Sequence, residues 1–290
     1  MIDDLYLSPH LDDVAFSASR HLIRQSAAGR RCGVATVFTA TVADPSEFAL
    51  ACQLDKGLDR SVDYMSLRRE EDRRFVATLN DAIDPLHPIQ YMHGDLPEAP
   101  HRGYTCPADL FASIRPEDRI AGSIDQLIDR WVAELRPQTI VMPSGFGQHV
   151  DHRQVIEAMQ RYSVNPRSGD PTIRWYRDSP YVTRNPDSPA IVDTSNIAFE
   201  PVQSSELDDE FVDKLAADAC ERYVTQVPFQ FGSGAALQRW FRTHPELVGR
   251  RLAETGDQGS IQKNSSNEEN RSAPHVQPPL PRPVSSPIDS

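Results

Sequence analysis

The chain has 290 residues, of which 39% are hydrophobic, and its 42 acidic against 30 basic side chains give a formal net charge of -12. That length buries one sizeable core and is short for two full domains. An acidic balance with no Lys/Arg block interleaved with aromatics argues against a nucleic-acid backbone or an anionic membrane surface as partner, and favours small-molecule chemistry.

Leu5-Tyr6-Leu7 reads as the end of a first strand, followed by the polar cluster Ser8-Pro9-His10-Leu11-Asp12-Asp13. A helix over Val14 to Ala27 comes next, with Val14, Ala18, Leu22 and Ile23 as its apolar face, and Gly29 ends it. Cys32 to Thr41 is rich in β-branched residues and reads as a second, buried strand. Residues 44–61 show little periodicity and are expected to form a loop, before a charged helix over Val62 to Asp81 that Pro85 and Pro88 terminate. Ile89 to Met92 gives a third strand, and Gly94 to Asp118 is a long loop of the kind that tends to be functional. Ile120, Ile124, Leu127, Ile128, Trp131 and Leu135 follow helical spacing up to Pro137, and Thr139 to Met142 is the fourth strand. This β-α-β-α-β-α-β order specifies an α/β fold: a Rossmann-like, open, mostly parallel sheet with helices on both faces.

A helix from Arg153 to Tyr162 follows, with Ile173 to Tyr176 and Ala190 to Val192 as strand candidates. Glu206 to Tyr223 reads as a helix, and Ala235 to Trp240 begins another. Beyond Glu254 the chain is rich in Ser, Asn, Gln and Pro with almost no large apolar residues, so residues 1–254 are expected to form the domain and 255–290 a disordered tail. No segment approaches the ~18 apolar residues of a membrane span, and no basic n-region precedes an apolar stretch, so a cytoplasmic protein is expected. Cys32, Cys52, Cys106 and Cys220 are widely spaced, which argues against a thiolate metal site or a disulfide framework.

A second polar cluster, His149-Val150-Asp151-His152, follows the fourth strand. In an open parallel sheet of order 3-2-1-4, strands 1 and 4 are neighbours and the chain leaves them in opposite directions, opening a crevice at their C-terminal ends. Both clusters would line that crevice. His and carboxylate side chains suit zinc, and three protein ligands with an open position are the catalytic pattern; His10, Asp13 and His152 supply one such set. Asp12 would then be free to take a proton from a metal-activated water, and His149, held by the carboxylate of Asp151, would stay protonated to stabilise an oxyanion or protonate a leaving amine. Taken singly, Asp12-Asp13 also reads as a helix N-cap and His149/His152 as surface histidines. The remaining histidines, His21, His87, His93, His101, His244 and His275, have no such context and read as structural or solvated.

The two clusters together resemble those of the LmbE-like/PIG-L family of zinc-dependent N-deacetylases, which carry a PHxDD-like motif after strand 1 and HxDH after a later strand. Arg68 to Asp72, Leu96 to Arg102, Tyr176 to Tyr181 and Tyr223-Val224-Thr225-Gln226 add to the likeness, which covers about Met1 to Gln226. The resemblance implies His10, Asp13 and His152 as ligands of Zn2+, Asp12 as general base and His149 with Asp151 at the substrate side. It also implies a small-molecule N-acyl amino sugar or conjugate as substrate, with Arg68, Glu98 and Arg102 as contacts. Ala15 to Ser19 stands where the family often has glycines, and Glu98 where it has Asp, which bears on acyl and substrate preference. A thiol-conjugate or secondary-metabolite intermediate is the alternative substrate. A nucleotide-binding or metal-binding module without catalysis is the alternative of another class, disfavoured because two carboxylates occupy the first strand-helix turn in place of a glycine-rich phosphate loop.

Overall fold

The apolar run behind the first polar cluster forms β1 (Asp4–Ser8), buried at all five positions. Its side chains alternate between two cores: Tyr6 joins one face of the sheet, Leu5 and Leu7 the other. In this computed structural model, residues 1–164, 169–202 and 207–252 are described, and Met1–Leu252 forms one compact unit. The expected tail, 255–290, lies outside the described residues.

Helix α1 (Asp13–Ala27) follows β1, and β2 (Cys32–Phe38) is buried throughout, as a central strand covered on both faces requires. It stops before the expected Thr41 because the amides of Thr39 and Ala40 both turn to the carbonyl of Leu96. Residues 44–61 are not all loop: Ser46 Oγ accepts the Ala49 amide at 3.1 Å and starts α2 (Glu47–Leu54). Its eight residues are too few for periodicity to reveal. Then come α3 (Tyr64–Ile83), β3 (Gln90–Leu96), the short α4 (Pro107–Leu110), α5 (Ala121–Leu135), β4 (Thr139–Pro143), α6 (Val150–Ser163) and β5 (Thr172–Tyr176). The strand order β3-β2-β1-β4-β5 is parallel throughout, with the expected 3-2-1-4 arrangement at its heart. Helices α1 and α3 cover the Tyr6 face with Phe75, Val76 and Leu79, while α5 and α6 cover the other with Ile124, Trp131, Val155 and Ile156.

The remainder departs from expectation. Ala190 to Val192 is not a strand; the amides of Ile191 and Val192 both donate to the Ser144 carbonyl, and the strand here is β6 (Ile197–Pro201), beyond the short α7 (Tyr181–Arg184). Helix α8 (Asp209–Cys220) is capped by Asp208, which accepts the Phe211 amide at 3.1 Å, so it is shorter than the expected Glu206 to Tyr223; Glu206 lies outside the described residues. After α9 (Val227–Phe231) and α10 (Gly234–Thr243), an unexpected β7 (Leu247–Arg251) inserts between β5 and β6, antiparallel to both. The sheet is therefore seven-stranded and mixed, with two strands added beyond β5. Among the described residues no helix is long and apolar enough to cross a membrane, and the four cysteines are free.

Glu246 ties this late segment to the beginning of the chain. Its buried carboxylate accepts the backbone amides of Arg20 at 2.9 Å and His21 at 2.8 Å, both in α1. Burial pushes its pKa up to about 7 from 4.5, against the pull of Arg20 and of those two amides. The folded state therefore binds the Glu246 proton more tightly than the unfolded chain. The resulting stabilisation is complete below pH 4.5 and is lost as pH rises towards 7. Urea unfolding at pH 5 and pH 7.5 should show about 2 kcal/mol more loss in the wild type than in Glu246→Gln, whose amide does not titrate.

Candidate metal centre

The loop after β1 is fastened before any metal is considered. Ser8 Oγ donates to the His10 carbonyl at 2.6 Å, the His10 amide donates to Asp13 Oδ2 at 2.7 Å, and the Phe38 amide reaches the Pro9 carbonyl at 3.0 Å. Leu11 is fully buried and anchors the turn. Asp12 occupies the N-cap position of α1 but makes no side-chain cap bond. Its carboxylate instead accepts from Arg68 Nη2 at 3.2 Å, so the capping reading of this residue does not hold.

The second loop approaches from β4 through Ser144 to His149, where Gly145, Gly147 and Gln148 take left-handed backbone conformations. Helix α6 begins at Val150 rather than Arg153, because His149 caps it: its Nδ1 accepts the Asp151 amide at 3.2 Å. Asp151 and His152 thus sit in the first turn, buried, at the C-terminal edge of the sheet beside the β1 loop.

The two loops meet on one oxygen. Asp13 Oδ2 lies 3.2 Å from His10 Nδ1 and 3.2 Å from His152 Nε2, and the ligand atoms of His10, Asp13 and His152 all fall within 4.8 Å of one another. The other nitrogen of each ring is held by a further carboxylate: His10 Nε2 donates to Asp151 Oδ2 at 3.0 Å, and His152 Nδ1 to Asp178 Oδ1 at 2.7 Å. This carboxylate-behind-imidazole arrangement fixes ring orientation at metal centres. His149 and Asp151 with His10 form a second group of similar closeness, but His149 Nδ1 and Asp151 Oδ2 are already engaged.

Asp151 therefore orients His10, and the expectation that its carboxylate holds His149 is corrected. Besides His10, that carboxylate accepts the Ala99 amide at 3.0 Å and Arg102 Nη2 at 2.6 Å. Nor is His149 protonated. Burial and the neighbouring His10 lower its pKa to about 3, so the ring is neutral.

The residues fit a metal ion on two grounds. His152 Nε2 is a buried nitrogen without a hydrogen-bond partner, aimed at Asp13. Burial works against charge on both rings, yet Asp13 with Asp178 raises His152 to about 9 and Asp13 with Asp151 raises His10 well above its usual value. Conversely, burial of Asp13 is overcome by His152 and His10, which hold its carboxyl well below the ordinary range. The pocket demands positive charge between these three side chains, and protons supply it when a cation does not. Two imidazoles and a carboxylate are the donor set of a borderline divalent metal.

Around this core, Arg68 bridges Asp12 and Glu98. Arg102 holds Asp151 and Asp118, and so supports the carboxylate that lies behind His10. Asp178 was not singled out by the sequence, where it stands only within a family-like segment. Its Oδ2 also accepts the Gly145 and Phe146 amides at 2.7 and 3.0 Å, fixing the loop that leads to His149. His21 and His93 are structural as expected, bonded to Tyr6 and Asp72.

A model of the PIG-L family, described as GlcNAc-PI de-N-acetylase, matches residues 5–163. The 2'-N-acetylparomamine deacetylase of Streptomyces fradiae is 31% identical over 179 residues, covering 61% of this chain; the matched part is 57% of that relative's length. Among solved structures, the A40926 pseudoaglycone deacetylase has a TM-score of 0.66 at 24% identity, covering 87% of this chain and 99% of that one. A zinc-inhibited form of teicoplanin deacetylase has a TM-score of 0.66 at 20% identity, covering 87% of this chain and 100% of that one. N,N'-diacetylchitobiose deacetylase of Pyrococcus horikoshii has a TM-score of 0.52 at 13% identity, covering 86% and 83%. At these identities the structural likeness speaks for the fold.

Replacing Asp178 by Asn leaves His152 in place but removes the charge behind its Nδ1. Divalent-metal affinity, measured by chelator competition, should fall about 10- to 100-fold, whereas an unchanged affinity would place the metal away from His152.

Proposed function

The chain belongs to the PIG-L family, and on that footing we propose that it is a metal-dependent hydrolase that removes an N-acyl group, acetyl in the simplest case, from an amino sugar or glycoconjugate. The names of its relatives, a 2'-N-acetylparomamine deacetylase, an A40926 pseudoaglycone deacetylase and a teicoplanin deacetylase, support that substrate class. The observation that carries the reading is the shared Asp13 oxygen between His10 and His152, with the uncapped carboxylate of Asp12 one residue away. His10, Asp13 and His152 would hold the metal, and the two-imidazole, one-carboxylate set favours zinc. When bound, zinc supplies Lewis-acid polarisation and a water acidic enough to ionise near neutral pH.

Asp12 is the base of this scheme. Burial and the adjacent Asp13 raise its pKa to about 6 despite Arg68, so its carboxylate is ionised at neutral pH and close in basicity to the proton it must take. The same carboxyl can then deliver that proton to the departing amine. Arg68 restrains Asp12 and is itself held by Glu98, so the two carry the polar contacts to sugar hydroxyls.

His149 acts as a neutral donor rather than as an acid. With Nδ1 accepting the Asp151 amide, its proton resides on Nε2, and a neutral N–H there suits a carbonyl oxygen gaining charge. Residues 1–254 would constitute the catalytic domain, and free thiols suit a cytoplasmic enzyme.

Asp12→Asn tests the reading directly. With metal loaded, it should release amine from N-acetylglucosamine and related amides about 10²- to 10⁴-fold more slowly than wild type while binding the same amount of metal. A variant with unaltered turnover would remove Asp12 from the reaction.

A further inference from the structure

The residues around the centre divide by chemistry. Asp12 is contacted by Arg68, which is itself paired with Glu98, whereas the two histidines of the second cluster are contacted by aromatic rings. Tyr181 stands edge-on to His152, with ring centroids 5.7 Å apart at 86°. Phe111 stands edge-on to His149 at 5.4 Å and 85°, and meets Tyr181 at 6.0 Å.

Both rings are placed by specific local features. Gly147 has a backbone φ of +83, and a Cβ there would lie 2.6 Å from Tyr181 Cγ, so only glycine lets the tyrosine ring seat against the loop that leads into His149. Phe111 ends the short α4, in the long loop after β3, and is 46% exposed although the His149 it touches is only 7% exposed. A large apolar ring thus remains uncovered by protein at the mouth of a buried polar centre.

Resting on the hydrolase reading above, we propose that Phe111 and Tyr181 form the acyl subsite and that the exposed ring of Phe111 selects for an unbranched acyl chain longer than acetyl. A scissile amide has two ends. Its nitrogen must approach Asp12, which receives and returns the proton, and so brings the polar amine half towards Arg68 and Glu98. The carbonyl carbon, with its oxygen at His149, directs the other substituent to the rings that pack on His149 and His152. An acetyl methyl covers little of Phe111, and each added methylene removes more of that ring from water.

The test uses the metal-loaded full chain with N-acetyl, N-propionyl, N-butyryl and N-hexanoyl glucosamine, scored by amine release. In the wild type kcat/KM should rise about fourfold per methylene until the ring is covered. Phe111→Ala should lower the hexanoyl-to-acetyl ratio by about tenfold or more, and Phe111→Leu should restore part of it. Phe111 is half exposed, so these variants keep the core intact. A second arm needs no turnover: calorimetric titration with acetate, butyrate and hexanoate should show affinity rising with chain length in the wild type and flat in Phe111→Ala. If no amide is cleaved but hexanoate still binds more tightly through Phe111, the hydrolase reading fails and the apolar subsite stands. Hexanoate binding no tighter than acetate, or a chain-length ratio untouched by Phe111→Ala, overturns the subsite itself.

Discussion

Buried negative charge between β1 and β4 is the constraint on which this molecule turns. Asp12, Asp13, Asp151 and Asp178 are all nearly inaccessible to solvent, and unpaired carboxylates in such a place are strongly disfavoured. Each is met by a specific cation or donor. Arg68 restrains Asp12, Arg102 and an amide restrain Asp151, three loop donors and His152 satisfy Asp178, and His10 with His152 flanks Asp13. Elements far apart in the chain are recruited for that purpose: α3 supplies Arg68, the loop after β3 supplies Arg102, and the loop after β4 supplies the Ser144 hydroxyl and the Gly145 and Phe146 amides. The long loop between β3 and α5 has its shape because two of its residues, Arg102 and Asp118, pair beneath the second histidine cluster.

The neutral state of His149 follows from the same electrostatics. Asp151 directs its charge at His10 and Arg102, leaving only its backbone amide for His149. In the absence of a cation the two adjacent rings are pushed in opposite directions, His10 towards the charged form and His149 towards the neutral one, though they stand 4.9 Å apart. Environments that push neighbouring groups apart are what divide binding from proton handling within one pocket.

The central sheet and the meeting of the two clusters were legible in the sequence because both rest on local rules. Periodicity marks β1 to β4 and their helices, and strand order then brings the C-terminal ends of β1 and β4 together. What was illegible depends on tertiary partners. Nothing in His149-Val150-Asp151-His152 says that the aspartate turns away from its neighbour to a histidine 141 residues earlier. Asp178 carries no local mark either, since a carboxylate behind a ligand ring is recognisable only once both are placed. Phe111 reads in sequence as an ordinary loop residue, and β7 as a stretch ending in two arginines, because an outer strand needs only a few buried positions to be held by its neighbours. The expected strand at Ala190 to Val192 is absent for the converse reason: the Ile191 and Val192 amides close onto the Ser144 carbonyl without joining the ladder.

Strand β7 has a further consequence, one of timing. It lies between β5 and β6 and is the strand with which β6 pairs, so residues 197–201 find their place in the sheet only when residues 247–251 arrive. Just before it, Glu246 closes onto α1, more than two hundred residues upstream. During synthesis the parallel half, with both histidine clusters, can form while the sheet still ends at β5. The nascent chain would then expose a bare strand edge until residues 247–251 clear the ribosome, and unpaired edges of that kind invite association with other chains. The segment least visible in the sequence is thus the one that finishes the sheet during biogenesis.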